Sequence, residues 1–257
     1  MPLTNFQKNN IKDVIKTCIQ NKFQNYNPEF NNMPFHFRLL GKDRMALYSF
    51  IQSLNTTFGT SIFEPVAVAL AEDNFKKVKS QFIVGEKISE GCQQSIQEIM
   101  NGLTIGRNPD KLVELEILRK SANVGTIKKL KTVKADLYLE TTQGEIFLFD
   151  LKTVKPNISN FKDFKRTLLE WAGIILTQNS ELKVNSLIAI PYNPYDPKPY
   201  ERWTLKGMLD LEHELKVAEE FWDFLGGDGA YKDLLKCFEE TGLELRDEID
   251  RYFKRFK

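Results

Sequence analysis

The chain has 257 residues, 42% of them hydrophobic and 28% charged, with a net charge of +1. That is enough chain for one large domain with a sizeable apolar core, and the composition is that of a soluble globular protein. It excludes a membrane span, because no run approaches about 18 uncharged apolar residues. It also excludes a histidine-rich metal site, because His36 and His213 are the only histidines.

The opening stretch, MPLTNFQKNNIKDVIK, is amphipathic and lacks the apolar core of a signal peptide, so a cytoplasmic protein is expected. Cys18, Cys92 and Cys237 are far apart and odd in number, which predicts free thiols in a reducing compartment. A nonspecific nucleic-acid binder is usually more basic than +1. The charge is uneven, however. Arg119, Lys128, Lys129, Lys131, Lys152, Lys155, Lys165 and Arg166 crowd the middle of the chain, and acids gather from Asp210 onward. The middle therefore predicts either a local positive surface or simply a solvated face.

Helical spacing of Ile11, Val14, Ile15 and Cys18 predicts a first helix over Thr4–Gln20, with Thr4 as its cap. Asn21–Pro34, rich in Asn and Pro, reads as a loop, and Lys42–Asn55 as a second helix. Ser61 and Glu64 have capping-box spacing, and Pro65 is tolerable in a first helical turn. Val66–Leu70 is apolar all round, which predicts a buried helix. Glu64 then either caps that helix or supplies an active-site acid.

A helix is expected over Ile88–Asn101 and a loop over Gly102–Asp110 that is no phosphate loop. Lys111–Lys120 fits helix or strand equally, and Gly125–Lys134 reads as a strand. Further on, Phe161–Leu176 reads as a helix with Asn160 as a possible cap, and Leu187–Ile190 as a short strand. The proline-rich YNPYDPKPYERW cannot be regular. Helices are predicted over Leu211–Leu225, Ala230–Glu240 and Leu243–Phe256. The fold class is α/β (α+β), a central mixed sheet flanked by helices. One domain over 1–257 is expected, with a helical N-terminal region (1–105), a catalytic core (106–205) and C-terminal helices (206–257).

The most informative stretch is Lys134–Asn157. Ala135–Thr141 and Glu145–Val154 carry strand residues around a turn that contains Gly144. Alternation puts Asp150 and Lys152 on one face with Ile146 and Leu148, and Phe147, Phe149 and Leu151 on the other. Apolar residues on both faces are the mark of a covered central strand. Charges at its end must be paired or must bind something. Asp136 and Lys152 can form a structural ion pair. Alternatively, Asp136 and Asp150 can share a Mg²⁺, a hard ion that prefers oxygen ligands, with Lys152 orienting water at a phosphodiester.

An Asp at one strand, a turn, and an apolar strand ending in Asp150-Leu151-Lys152 resembles the PD-(D/E)xK nuclease superfamily, with Ala135 in place of its proline. Phe37–Arg44 (FRLLGKDR), Gly59–Pro65 (GTSIFEP), Phe149–Asn157 (FDLKTVKPN) and Lys198–Trp203 (KPYERW) together resemble TdeIII-type type II restriction endonucleases. The resemblance implies a restriction-endonuclease-like core and Mg²⁺-dependent cleavage of double-stranded DNA at a short palindrome, with a G/C-rich interrupted site as a hint. It makes Asp136 and Asp150 metal ligands and Lys152 the catalytic lysine, with Glu64 as a further acid. A homodimer and a cognate DNA methyltransferase are expected. The acidic C-terminal helices suit a dimer interface better than DNA contact. Lys155 and Asn157 are candidates for phosphate contacts, and Arg202 and Trp203 for the DNA-facing side, against plain loop packing. A structure-specific or repair nuclease, or a non-enzymatic DNA-binding module, are the alternatives.

Overall fold

The computed structural model describes residues 3–28, 33–152, 161–201 and 205–256, with the side chains of 56, 57 and 132 left out. Lys155, Asn157, Asn160, Arg202 and Trp203 lie outside the described residues. The organising stretch forms two strands of a mixed sheet, β2 (Ile127–Glu140) and β3 (Ile146–Leu151). They pair antiparallel with Leu137 opposite Phe149 and Glu140 opposite Ile146. Between them Gly144 turns the chain at φ +82°, a backbone conformation that glycine adopts without a Cβ penalty.

The other strands are β1 (Lys77–Ser89), β4 (Val184–Ile190) and β5 (Leu215–Val217). Among the described residues the order is β1-β2-β3-β4-β5. The β1–β2 pair is antiparallel, and β4 pairs parallel with both β3 and β5. This is the mixed α/β sheet expected, with β3 at its centre.

Helices cover both faces. On one side lie α5 (Glu90–Thr104), α6 (Lys111–Ser121) and α7 (Phe161–Gln178). Ile88, Ile96, Leu118, Leu148, Leu168 and Trp171 form the core there. On the other side lie α1 (Asn5–Asn25), α4 (Glu64–Ala71), α8 (Glu219–Gly226) and α9 (Ala230–Glu244). Ile11, Leu70, Leu139, Phe149, Phe221 and Trp222 form that second core. Phe149 is fully buried, and a side chain of that kind stabilises by about 1.5–3 kcal/mol relative to exposure. A smaller aromatic cluster of Phe23, Phe50 and Tyr252 joins α1 to α3 (Lys42–Phe58) and α10 (Arg246–Lys254).

Several boundaries differ from the sequence reading. Thr4 caps α1 as expected, closing a capping box with Gln7, but α1 runs on to Asn25 through the start of the expected loop. Pro34, placed at the end of the expected loop, opens a short helix, α2 (Pro34–Leu40), over residues given no element, because proline suits a first helical turn. Ser61 caps nothing: Gly59–Phe63 is a π-helical turn that runs straight into α4, so Glu64 is free of a capping box. The predicted helix over Leu211–Leu225 is instead β5 followed by α8, since Leu215-Lys216-Val217 is drawn into the sheet beside β4. Residues 77–87, given no element by periodicity, join Ile88 and Ser89, expected as the start of a helix, in β1, which pairs with β2 along its length, so α5 begins only at Glu90.

One charge reading also changes. Lys165 belongs to no positive surface. It is completely buried, with Nζ 2.5 Å from Glu114 Oε2 and 2.6 Å from Glu214 Oε2. Lys111 joins the same group, bonding Glu214 Oε1 at 2.9 Å and Ser186 Oγ at 2.8 Å. The quartet ties α6 and α7 to the segment that leads into β5. Some acids near the C-terminus are paired within the chain. Asp233, Glu240 and Glu244 of α9 pair with Lys8, Lys12 and Lys16 of α1. Cys18, Cys92 and Cys237 are free thiols, as expected. Among the described residues no helix is long and apolar enough to cross a membrane.

Candidate active site

The sheet brings Asp136, Asp150 and Lys152 together, and α4 adds Glu64. Antiparallel pairing of β2 with β3 places Asp136 beside the end of β3. The Leu151 amide donates to Asp136 Oδ2 at 2.8 Å, so a main-chain N–H aims this carboxylate. Asp150, one residue back, points to the opposite face from Leu151 and is buried. Its Oδ1 lies 2.6 Å from Lys152 Nζ. The ammonium also sits 4.6 Å from the centre of the Phe164 ring on α7, which restricts where the cation can swing.

Burial raises the Asp150 carboxyl to about 6, with the neighbouring Asp136 carboxylate adding to the rise and Lys152 opposing it. The two aspartates are therefore close enough to compete for charge, and the lysine partly relieves them. The structural ion pair contemplated from sequence exists, but its acid is Asp150, not Asp136.

Glu64 enters from the first turn of α4 and is only 3% exposed. Burial raises its pKa. The Gln81 amide opposes that rise and the nearby Asp136 charge adds to it. Gln81 on β1 is the link that sequence reasoning missed. Its Nε2 donates to Glu64 Oε1 at 3.1 Å and Oε2 at 2.9 Å, and to Asp136 Oδ1 at 3.3 Å. A glutamine in an alternating strand carries no signal of this, because the contact depends on β1 lying next to β2.

The donor set fits a hard divalent cation. Glu64, Asp136 and Asp150 present carboxylate oxygens, the ligand type that Mg²⁺ takes. Among the described residues no group of three or more His, Cys, Asp or Glu gathers as a complete metal cage. Mg²⁺ commonly keeps several waters and uses only one or two carboxylates, so the Asp136–Asp150 pair meets that need.

Residues 3–242 match the family described as "Type II restriction endonuclease, HinfI". The type II restriction enzyme HgiCII of Herpetosiphon aurantiacus is 26% identical over 276 residues, covering 98% of this chain and 99% of the relative. HgiEI of the same organism is 25% identical over 272 residues, with 97% and 98% covered. The type II restriction enzyme MjaII of Methanocaldococcus jannaschii is 27% identical over 263 residues, covering 89% of this chain and 68% of the relative.

Proposed function

The chain belongs to the HinfI family of type II restriction endonucleases, and from that premise we propose that its acid–lysine cluster performs Mg²⁺-dependent cleavage of double-stranded DNA at a short palindrome. It is a site-specific deoxyribonuclease of a restriction–modification system. The observation that carries the assignment of the site is the convergence of Asp136, Asp150 and Lys152 at the end of one covered strand.

In this reading Asp136 and Asp150 would hold the ion, and Glu64 would add a further negative charge nearby. When bound, Mg²⁺ supplies Lewis acidity to a phosphate oxygen and lowers the pKa of water. Lys152 does the rest of the electrostatic work. Its ammonium is held between Asp150 and the Phe164 ring, where it orients an attacking water and stabilises charge developing on the scissile phosphate. The Leu151 amide keeps Asp136 fixed while this happens. Water adds to phosphorus as the phosphorus–oxygen bond to the leaving strand breaks, and that oxygen takes up a proton.

A palindromic site reads the same on both strands, so a two-fold homodimer suits it. A methyltransferase that protects the host site completes the system. Lys155 and Asn157, which follow Lys152 in the chain, are proposed as phosphate contacts, and Arg202 and Trp203 as groups that meet the DNA. The TdeIII-type likeness favours a G/C-rich interrupted palindrome.

The test is digestion of phage or plasmid DNA in Mg²⁺, with sequencing of the ends. Discrete bands are expected. A smear would replace sequence reading with a structure-specific or repair activity. Asp150→Ala and Lys152→Ala are each expected to lower cleavage about a thousandfold or more, a loss of several kcal/mol of transition-state stabilisation, while DNA binding in Ca²⁺ survives. Full cleavage by both variants would overturn the site.

A further inference from the structure

We propose that Gln81 is a positioning residue for cleavage: its side-chain amide spans Glu64 and Asp136 and sets the spacing of the two acids for the divalent ion. The inference rests on the reading of the acid–lysine cluster given above.

Three observations carry it. First, Gln81 Nε2 reaches both oxygens of Glu64 and one of Asp136, at 3.1, 2.9 and 3.3 Å. It is the contact by which an acid on a helix of one layer is tied to an acid on the sheet. Second, Asp136 has its remaining oxygen committed to the Leu151 amide, so the amide of Gln81 acts on an already fixed carboxylate. Glu64 is the partner that Gln81 can aim. Third, Gln81 stands at φ +49°, a left-handed conformation in the middle of a strand. The paired residues on either side, Ser80 with Leu137 and Phe82 with Ala135, keep regular register. Asp136 falls between them. A non-glycine residue held in that conformation costs of order 1–3 kcal/mol and persists only when its surroundings enforce it. Here the deviation turns the side chain towards two acids instead of along the ordinary pleat.

Two carboxylates brought together repel, and one without a donor turns away from the other. The Gln81 amide bridges them without introducing a charge of its own. It supplies two N–H groups and no net charge, so it holds the acids without adding a cation that would compete with the metal.

The experiment measures Mn²⁺ binding to the full chain by calorimetry without DNA, together with the Mg²⁺ dependence of cleavage. Gln81→Ala is expected to weaken Mn²⁺ binding and to raise the half-activating Mg²⁺ concentration, each about 10–100-fold, the usual effect of losing a group that orients a ligand. The KM for DNA should be unchanged. Gln81→Gly relieves the backbone and so guards against a folding defect, and it should show the same loss. Gln81→Glu keeps the size but brings a third carboxylate to the pair. It should melt lower than wild type in EDTA and recover more than wild type on adding Mn²⁺. Wild-type Mn²⁺ affinity and Mg²⁺ dependence in both the Ala and Gly variants would overturn the role of Gln81 while leaving the nuclease site standing. A wild-type protein that neither binds Mn²⁺ nor cleaves DNA would overturn both.

Discussion

The main-chain amide of Leu151 donates to Asp136 Oδ2 across the hairpin, at 2.8 Å. One strand of the pair thus holds the carboxylate of the other, and site geometry becomes a property of strand register. A one-residue slip between β2 and β3 would remove this bond and turn Asp150 to the opposite face.

This relationship separates two substitutions at one position. Asp136→Asn keeps an acceptor for the Leu151 amide and removes a charge that repels Glu64 and Asp150. It should unfold in urea and EDTA at or slightly above the wild-type midpoint. Asp136→Ala leaves the amide without its acceptor and should cost about 1–3 kcal/mol. Both should lose cleavage. Equal stability of the two would remove the claim that the amide contact matters.

The buried quartet makes a pH prediction. Burial alone would raise the Glu214 carboxyl, but the Lys111 and Lys165 ammoniums outweigh it and hold Glu214 below its ordinary value of 4.5. A carboxyl lowered in the folded state stabilises the fold above its unfolded pKa, here about 4.5, and that contribution fades as pH falls through the lower native value. Glu214→Gln should therefore flatten the acid limb of the stability profile. At neutral pH it leaves two buried ammoniums facing Glu114 alone, which should cost about 3–5 kcal/mol. An unchanged melting profile from pH 7 to pH 3 would refute this account.

The contacts between α1 and α9 should not be equal. Lys12 reaches Glu240 at 3.1 Å on an exposed surface, and Lys12→Ala should leave the urea midpoint unchanged within error. Asp233 accepts from the Leu3 amide at 3.0 Å and pairs with Lys8 at 3.0 Å, with its side chain only 10% exposed. Asp233→Ala should cost about 1–2 kcal/mol, chiefly by stranding the Leu3 amide. Equal effects of the two substitutions would show that burial does not rank these contacts.

What the sequence made legible was local. The β2–β3 hairpin was readable because alternation, a glycine turn and a run of apolar residues on both faces agree over Lys134–Leu151. Asp136, Asp150 and Lys152 followed from it, since spacing along two paired strands fixes which side chains share a face. Gln81 was not legible. Its contact with Asp136 requires β1 to lie beside β2, although α5 and α6 intervene in the chain. The Lys111–Glu214 and Lys165–Glu114 pairs were hidden for the same reason, at sequence separations of 103 and 51. A lysine next to an arginine on an amphipathic helix reads as surface until the helix is docked. β5 was misread because three residues are too few to show a period of two against the apolar helix that follows.

The buried quartet also bears on how the chain reaches its native state. Its four members come from α6, α7 and the segment before β5, so no early local structure can assemble them. Their pairing belongs to the far side of the folding barrier, where it slows escape more than it speeds arrival. Exchanging Lys111 for methionine should accelerate unfolding and leave the refolding rate nearly untouched in stopped-flow measurements. A slowed refolding limb would instead place these charges within the nucleus.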